Sequence, residues 1–122
     1  MNMRPIKVLK SSQVLLKLNS TDFSFVGEKL MSNLYEMFAR INIRPNLIQS
    51  TAISILCSMD DIPEKIEKLA LAASELFDVQ LEKGLTLLTI RHYKPDMIEE
   101  LTEGKTIILQ QKTKDTIQVL MK

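Results

Sequence analysis

Glycine occurs three times in this chain, cysteine once, histidine once and tryptophan not at all. Gly27, Gly84 and Gly104 lie too far apart to build a Gly-rich phosphate loop of the Walker or Rossmann kind. A nucleotide-dependent kinase or dehydrogenase is therefore not contained in these residues. A lone cysteine cannot form an internal disulfide, and one histidine with one cysteine cannot cage zinc. Charge of one sign is also lacking. Sixteen Lys and Arg stand against fifteen Asp and Glu, a net +1 that gives no phosphate-neutralising surface and argues against nucleic acid as partner. No apolar run approaches the ~20 residues of a membrane span. Lys10, Ser11, Ser12 and Gln13 interrupt any signal-peptide core. The expectation is a soluble cytoplasmic protein with no membrane partner.

What is present is 122 residues, 45% of them hydrophobic, enough for one ordinary domain or two very small ones. Val14-Leu15-Leu16-Lys17-Leu18 is a short apolar run closed by the turn cluster Asn19-Ser20-Thr21-Asp22, which predicts a buried strand. Val26, Leu30, Leu34, Met37, Phe38 and Ile41 then recur at helical spacing. Asp22 or Ser24 is the expected cap of that helix, and Pro45 excludes helix beyond Arg44. Asn46 to Gln49 predicts a strand beginning at Pro45, and Ile53, Ile55, Cys57 and Met59 alternate as the buried side of the next one. Asp61-Ile62-Pro63-Glu64 reads as a helix start with Asp61 as cap, followed by the stripe Ile62, Ile66, Leu69, Ala73 and Leu76. Val79 and Leu81 mark a fourth strand, closed at Lys83-Gly84.

This order is the α+β, ferredoxin-like βαββαβ arrangement, an antiparallel sheet with both helices on one face. A second, truncated βαββ unit follows over residues 84–122. Its parts are a strand from Leu85 to Tyr93, a short helix from Pro95 to Glu103 stopped by Gly104, and a hairpin over 106–121. Such a unit is too small to stand alone and must pack on the first unit or on a partner chain. Met1 to Lys10 reads as a solvated terminal segment.

No catalytic residues emerge. Cys57 alternates with Ile53 and Ile55, so it reads as a small buried hydrophobe. His92 has no acidic neighbour in sequence and reads as a surface or interface histidine. Glu99 and Glu100 fall on a solvated helix face. RNA binding through the sheet would need exposed aromatics on the central strands, and none occurs there. The remaining candidate is Ser20 to Gly27, which delivers a helix N-terminus whose free N–H groups suit a carboxylate. Asn46, Gln49, Ser50 and Thr51 face it from the next strand. Together they could hold a small amino acid, its ammonium on Asp22 or on side-chain amides. The plainer alternative is that Asp22 and Ser24 only cap the helix while Phe23 and Phe25 staple it.

Asn42-Ile43-Arg44-Pro45-Asn46-Leu47-Ile48 with Ser50-Thr51-Ala52-Ile53-Ser54 resembles the second-strand signature of the regulatory ACT domains of aspartokinases. Thr89 to Tyr93 and Leu109 to Thr113 resemble the tail of short monofunctional aspartokinases, and the similarity runs over residues 13–122. The resemblance implies an ACT domain at 13–83 and a truncated ACT-like unit at 84–122. Residues 1–12 would then link to a kinase domain preceding residue 1. ATP and Mg would belong to that domain, so no cofactor and no metal is expected in this chain, and whether the chain counts as an enzyme depends on the attached kinase.

The resemblance further implies a homodimer through ACT domains that binds an end-product amino acid, lysine or threonine. Binding would regulate phosphorylation of L-aspartate by ATP. The effector residues it implies are Asp22, Phe23, Ser24, Val26, Gly27, Asn46, Ile48, Ser50 and Thr51. Asn46 and Ala52 stand where lysine-sensitive relatives carry carboxylates, and Arg44 replaces a small residue, which leaves Asp22 as the acid of the pocket. The alternative function is a structural dimerisation module that has lost its effector site.

Overall fold

The structure, a computed structural model, describes residues 3–21 and 27–122. Six strands and three helices follow in the order β1 (Ile6–Ser20), α1 (Glu28–Ile41), β2 (Leu47–Ser50), β3 (Ser54–Asp60), α2 (Pro63–Ala73), β4 (Phe77–Arg91), α3 (Pro95–Thr102), β5 (Ile107–Lys112) and β6 (Thr116–Met121). The strand order is β2-β3-β1-β4-β6-β5, and the architecture is α+β and ACT-like. The chain divides into two compact units, one of residues 14–83 and one in which 84–122 join the N-terminal segment up to Gln13.

In the unit of residues 14–83 the strands run β2-β3-β1-β4. β2 and β3 pair antiparallel from Leu47↔Ser58 to Ser50↔Ile55. Val14, Leu16 and Leu18 of β1 and Ile55, Cys57 and Met59 of β3 project to one face, as period-two alternation requires. Leu34 and Phe38 of α1 and Ile66, Leu69 and Ala73 of α2 pack into the same core, so both helices cover that face. Phe77 at the start of β4 completes it, and burying a ring of that size contributes about 2–3 kcal/mol. Helix α1 ends where Asn42 takes the left-handed conformation; its N–H donates to Ala39 O at 3.3 Å and the N–H of Ile43 donates to Phe38 O at 3.0 Å.

Two expected caps are corrected here. The N-cap of α1 is Gly27, with no side-chain cap, and the proposed caps Asp22 and Ser24 lie outside the described residues. The N-cap of α2 is Ile62 rather than Asp61, because Pro63 occupies the first helical position and places Asp61 one residue too early. Ile53 also falls outside the alternation expected of it. It lies in the β2–β3 turn and is 40% exposed, whereas Ile55 is fully buried.

In the second unit the strands run β1-β4-β6-β5. β4 and β6 pair antiparallel from Thr86↔Met121 to Arg91↔Thr116, and β5 pairs antiparallel with β6. Leu88, Ile90, Ile117, Val119 and Met121 form the core, closed by Met97, Ile98 and Leu101 of α3. The terminal segment expected to be a linker is instead strand from Ile6 onward, exposed on both faces up to Ser12. The C-terminal residues therefore do not lack a last strand, since the first half of β1 supplies it. The second helix of the repeat has no counterpart among the described residues. Lys83-Gly84 does not close a strand either, because β4 runs unbroken from Phe77 to Arg91. Ser12 (φ 51°) and Gly84 (φ 73°) adopt left-handed backbone where β1 and β4 pass from one unit to the other.

Candidate functional site

β1 ends at Ser20 and α1 begins at Glu28, so the connection between them lies at one end of the 14–83 unit. The β2–β3 turn lies at the same end, because the N–H of Ser20 donates to the carbonyl of Ile53 at 2.9 Å. The turn is closed by its own hydroxyls. Thr51 N–H donates to Ser54 O at 2.8 Å, Ser54 N–H donates to Thr51 Oγ1 at 3.1 Å, and the two hydroxyls stand 2.7 Å apart. Thr51 therefore spends its side chain on turn geometry, while Ser50 next to it is exposed. Gly27 is exposed and extended (φ −87°, ψ −177°), and its carbonyl accepts the first helical bond from Met31 N–H at 3.2 Å.

The nine expected effector residues are not all at this end. Ser50, Thr51 and Ser20 gather there. Ile48 lies opposite Cys57 in the ladder and packs against the core. Asn46 precedes the far end of β2, about 13 Å from Ser50 along an extended chain. Its side-chain amide donates to Asp60 Oδ1 at 2.9 Å, and its backbone N–H donates to Ser58 O at 2.7 Å. Asp22, Phe23, Ser24 and Val26 lie outside the described residues.

Asp60, the carboxylate partner of Asn46, carries no local signal of that role, since the helix start is read from Asp61-Ile62-Pro63-Glu64 and does not include it. Lys65 likewise carries no local sequence signal of its role. Its ammonium donates to Asn42 O at 2.6 Å, tying α2 to the end of α1.

The reactive groups elsewhere have structural surroundings. Cys57 is fully buried, and burial pushes its thiol up to about 12, far from a thiolate nucleophile at neutral pH. His92 takes left-handed backbone (φ 59°), and its Nδ1 lies 3.9 Å from Asp115 Oδ2. The β6 hairpin thus supplies the acidic neighbour that the local sequence does not show. Among the described residues no group of three or more His, Cys, Asp or Glu is placed to hold a metal ion. No described helix is long and apolar enough to cross a membrane. At the Ser20 end of the 14–83 unit Ser50 and Gly27 are exposed, while the Thr51 hydroxyl is held by Ser54.

No family model matches the sequence, and no curated protein matches it. Solved structures do match the fold. A domain from Porphyromonas gingivalis W83, assigned as the C-terminal regulatory domain of an aspartate kinase, superimposes with a TM-score of 0.76 at 16% identity, covering 98% of this chain and 86% of that one. The ligand-free regulatory subunit of aspartate kinase from Thermus thermophilus gives 0.69 at 12% identity, with 94% and 85% covered. Escherichia coli aspartokinase III, in complex with lysine and aspartate in its T-state, gives 0.73 at 20% identity over 93% of this chain. The chain spans only 28% of the length of that enzyme. Matches that take in nearly every residue of both units mean that this chain has the fold of aspartate kinase regulatory domains.

Proposed function

We propose that this chain is the amino-acid-sensing regulatory module of an aspartate kinase. One observation carries the reading. The fold over 93% of the chain is that of one part of E. coli aspartokinase III, a protein captured with lysine and aspartate. The kinase domain, on the same polypeptide or a partner chain, would use ATP and Mg to phosphorylate L-aspartate. This module would bind an end product, lysine or threonine, and feed its concentration back on that step. It would work as a cytoplasmic homodimer through its ACT-like units.

The chemistry is that of a helix start beside a hydroxyl turn. The free N–H groups opening α1 suit the effector's carboxylate, and Asp22 suits its ammonium. Ser50 is exposed at the end of β2, and the Ser20–Ile53 bond fixes the β2–β3 turn to the end of β1. Regulation requires the effector to bind one arrangement of the kinase better than another, with a coupling of about 1–3 kcal/mol.

Calorimetric titration of the chain with lysine and with threonine tests this directly. Saturable heat with either amino acid, abolished by Asp22→Ala, is the expected result. Heats no larger than dilution for both, on folded protein, would overturn effector sensing by these amino acids and leave a dimerisation module.

A further inference from the structure

In the second unit α3 alone packs on the core face of the sheet, whereas two helices cover the core face of the 14–83 unit. Beside the last turn of α3 this leaves a partly enclosed cavity of about 220 Å³, lined by Leu9, Leu88, Leu101 and Met121. Leu88 and Met121 are buried, while Leu9 is 60% exposed, so the lip of the cavity is itself apolar. Lys105 and Lys122 line the same space. Thr106 brings them together: its N–H donates to Lys122 O at 3.1 Å, and Lys122 N–H donates to Thr106 O at 2.9 Å. Neither ammonium forms an ion pair among the described residues, and no Asp or Glu lines the cavity.

We propose that this cavity is a ligand site of its own, built for a short aliphatic carboxylate and not for an amino acid. At about 30 Å³ per water-sized group the space takes about seven or eight non-hydrogen atoms, the size of an acid of about six carbons. Water fills such a space poorly, because few polar partners meet it there. An alkyl chain instead packs on Leu88, Leu101 and Met121 and covers Leu9, removing apolar surface from water. Its carboxylate then reaches Lys105 and Lys122, with the Thr86 hydroxyl as a further donor. Charge sets the selectivity. A neutral ligand of the same shape gains nothing from the two ammoniums. An α-amino acid adds an ammonium that both lysines repel and that no lining carboxylate receives. The main-chain oxygen of Lys122 is no substitute, since it already accepts from Thr106 N–H.

The site lies apart from the helix start proposed for the effector and does not depend on that reading. Methyl NMR of the full chain, titrated with 4-methylpentanoate, is the test. Leucine and 4-methylpentanamide share its carbon skeleton and serve as comparisons. The methyl signals of Leu88, Leu101 and Met121 should shift saturably with the acid, with a Kd in the millimolar range or below. The amide and leucine should bind at least about threefold more weakly. Lys105→Met keeps an apolar stem and removes the charge. It should weaken the acid about threefold and leave the amide unchanged, and Lys105→Glu should weaken the acid about tenfold. Lys105 is exposed, so both variants should keep the wild-type melting temperature. No saturable shift at about 20 mM acid, equal affinity for acid and amide or for acid and leucine, or indifference to both Lys105 variants would overturn the proposal. So would methyl shifts that follow protein concentration instead of ligand, since a second copy would then fill the cavity.

Discussion

Ser12 takes left-handed backbone inside a strand, at φ 51°, which costs an L-residue about 1–2 kcal/mol. Glycine pays no such cost in the native state but loses more freedom on folding. Ser12→Gly should therefore stabilise the chain by about 0.5–1 kcal/mol in urea denaturation. Gly84 has the same handedness at φ 73°, and a Cβ there would meet nothing within 4 Å. Gly84→Ala should destabilise by a similar amount, through backbone strain alone. Cys57 gives a pH signature. Its thiol ionises near 9.0 when exposed and near 12 in the fold, so between those values the unfolded chain holds fewer protons. Stability is unaffected below pH 9.0 and falls as pH rises toward 12, by up to about 1.4 kcal/mol per unit. Cys57→Val should flatten that alkaline slope, as read from melting temperature against pH.

The β2–β3 ladder explains why Asn46 is an amide where the resemblance expects a carboxylate. Asp60 Oδ1 sits 2.9 Å from the Asn46 amide, so aspartate there would set two carboxylates against each other. Asn46→Asp should cost about 0.5–1 kcal/mol at neutral pH, because the pair is solvent-exposed, and adding Asp60→Asn should restore most of it. Chemical denaturation of the single and double variants measures the coupling.

Elements that bury one face wrote themselves into the sequence. The three- and four-residue spacing of Leu34 and Phe38, and the alternation of Ile55, Cys57 and Met59, each lead to the observed core. The first half of β1 did not, because Ile6 to Lys10 is exposed on both faces and burial imposes no period on such a strand. The continuity of β4 was hidden by Lys83-Gly84, which reads as a turn yet lies within one long strand. Of the candidate site, the meeting of the β1 end with the β2–β3 turn was legible from connectivity. The place of Asn46 was not, since its bond to Asp60 depends on a ladder register that no local pattern encodes.

The two units differ in what they can do alone. Residues 14–83 hold four strand segments, two helices and a core of their own. A fragment of those residues should melt cooperatively, observed by circular dichroism. Residues 84–122 lack the strand that the N-terminal segment contributes, so the corresponding peptide should show no cooperative transition. A sharp melt of that peptide would contradict this division.

That borrowed strand also fixes a timetable. A ribosome makes Ile6–Ser12 before the 14–83 unit, yet their pairing partners in β4 emerge only after that unit has been synthesised. The residues between can collapse first while Ile6–Ser12 waits, exposed and basic, for β4 to emerge. Arg4, Lys7 and Lys10 keep that waiting segment soluble, a demand that the finished fold no longer makes visible.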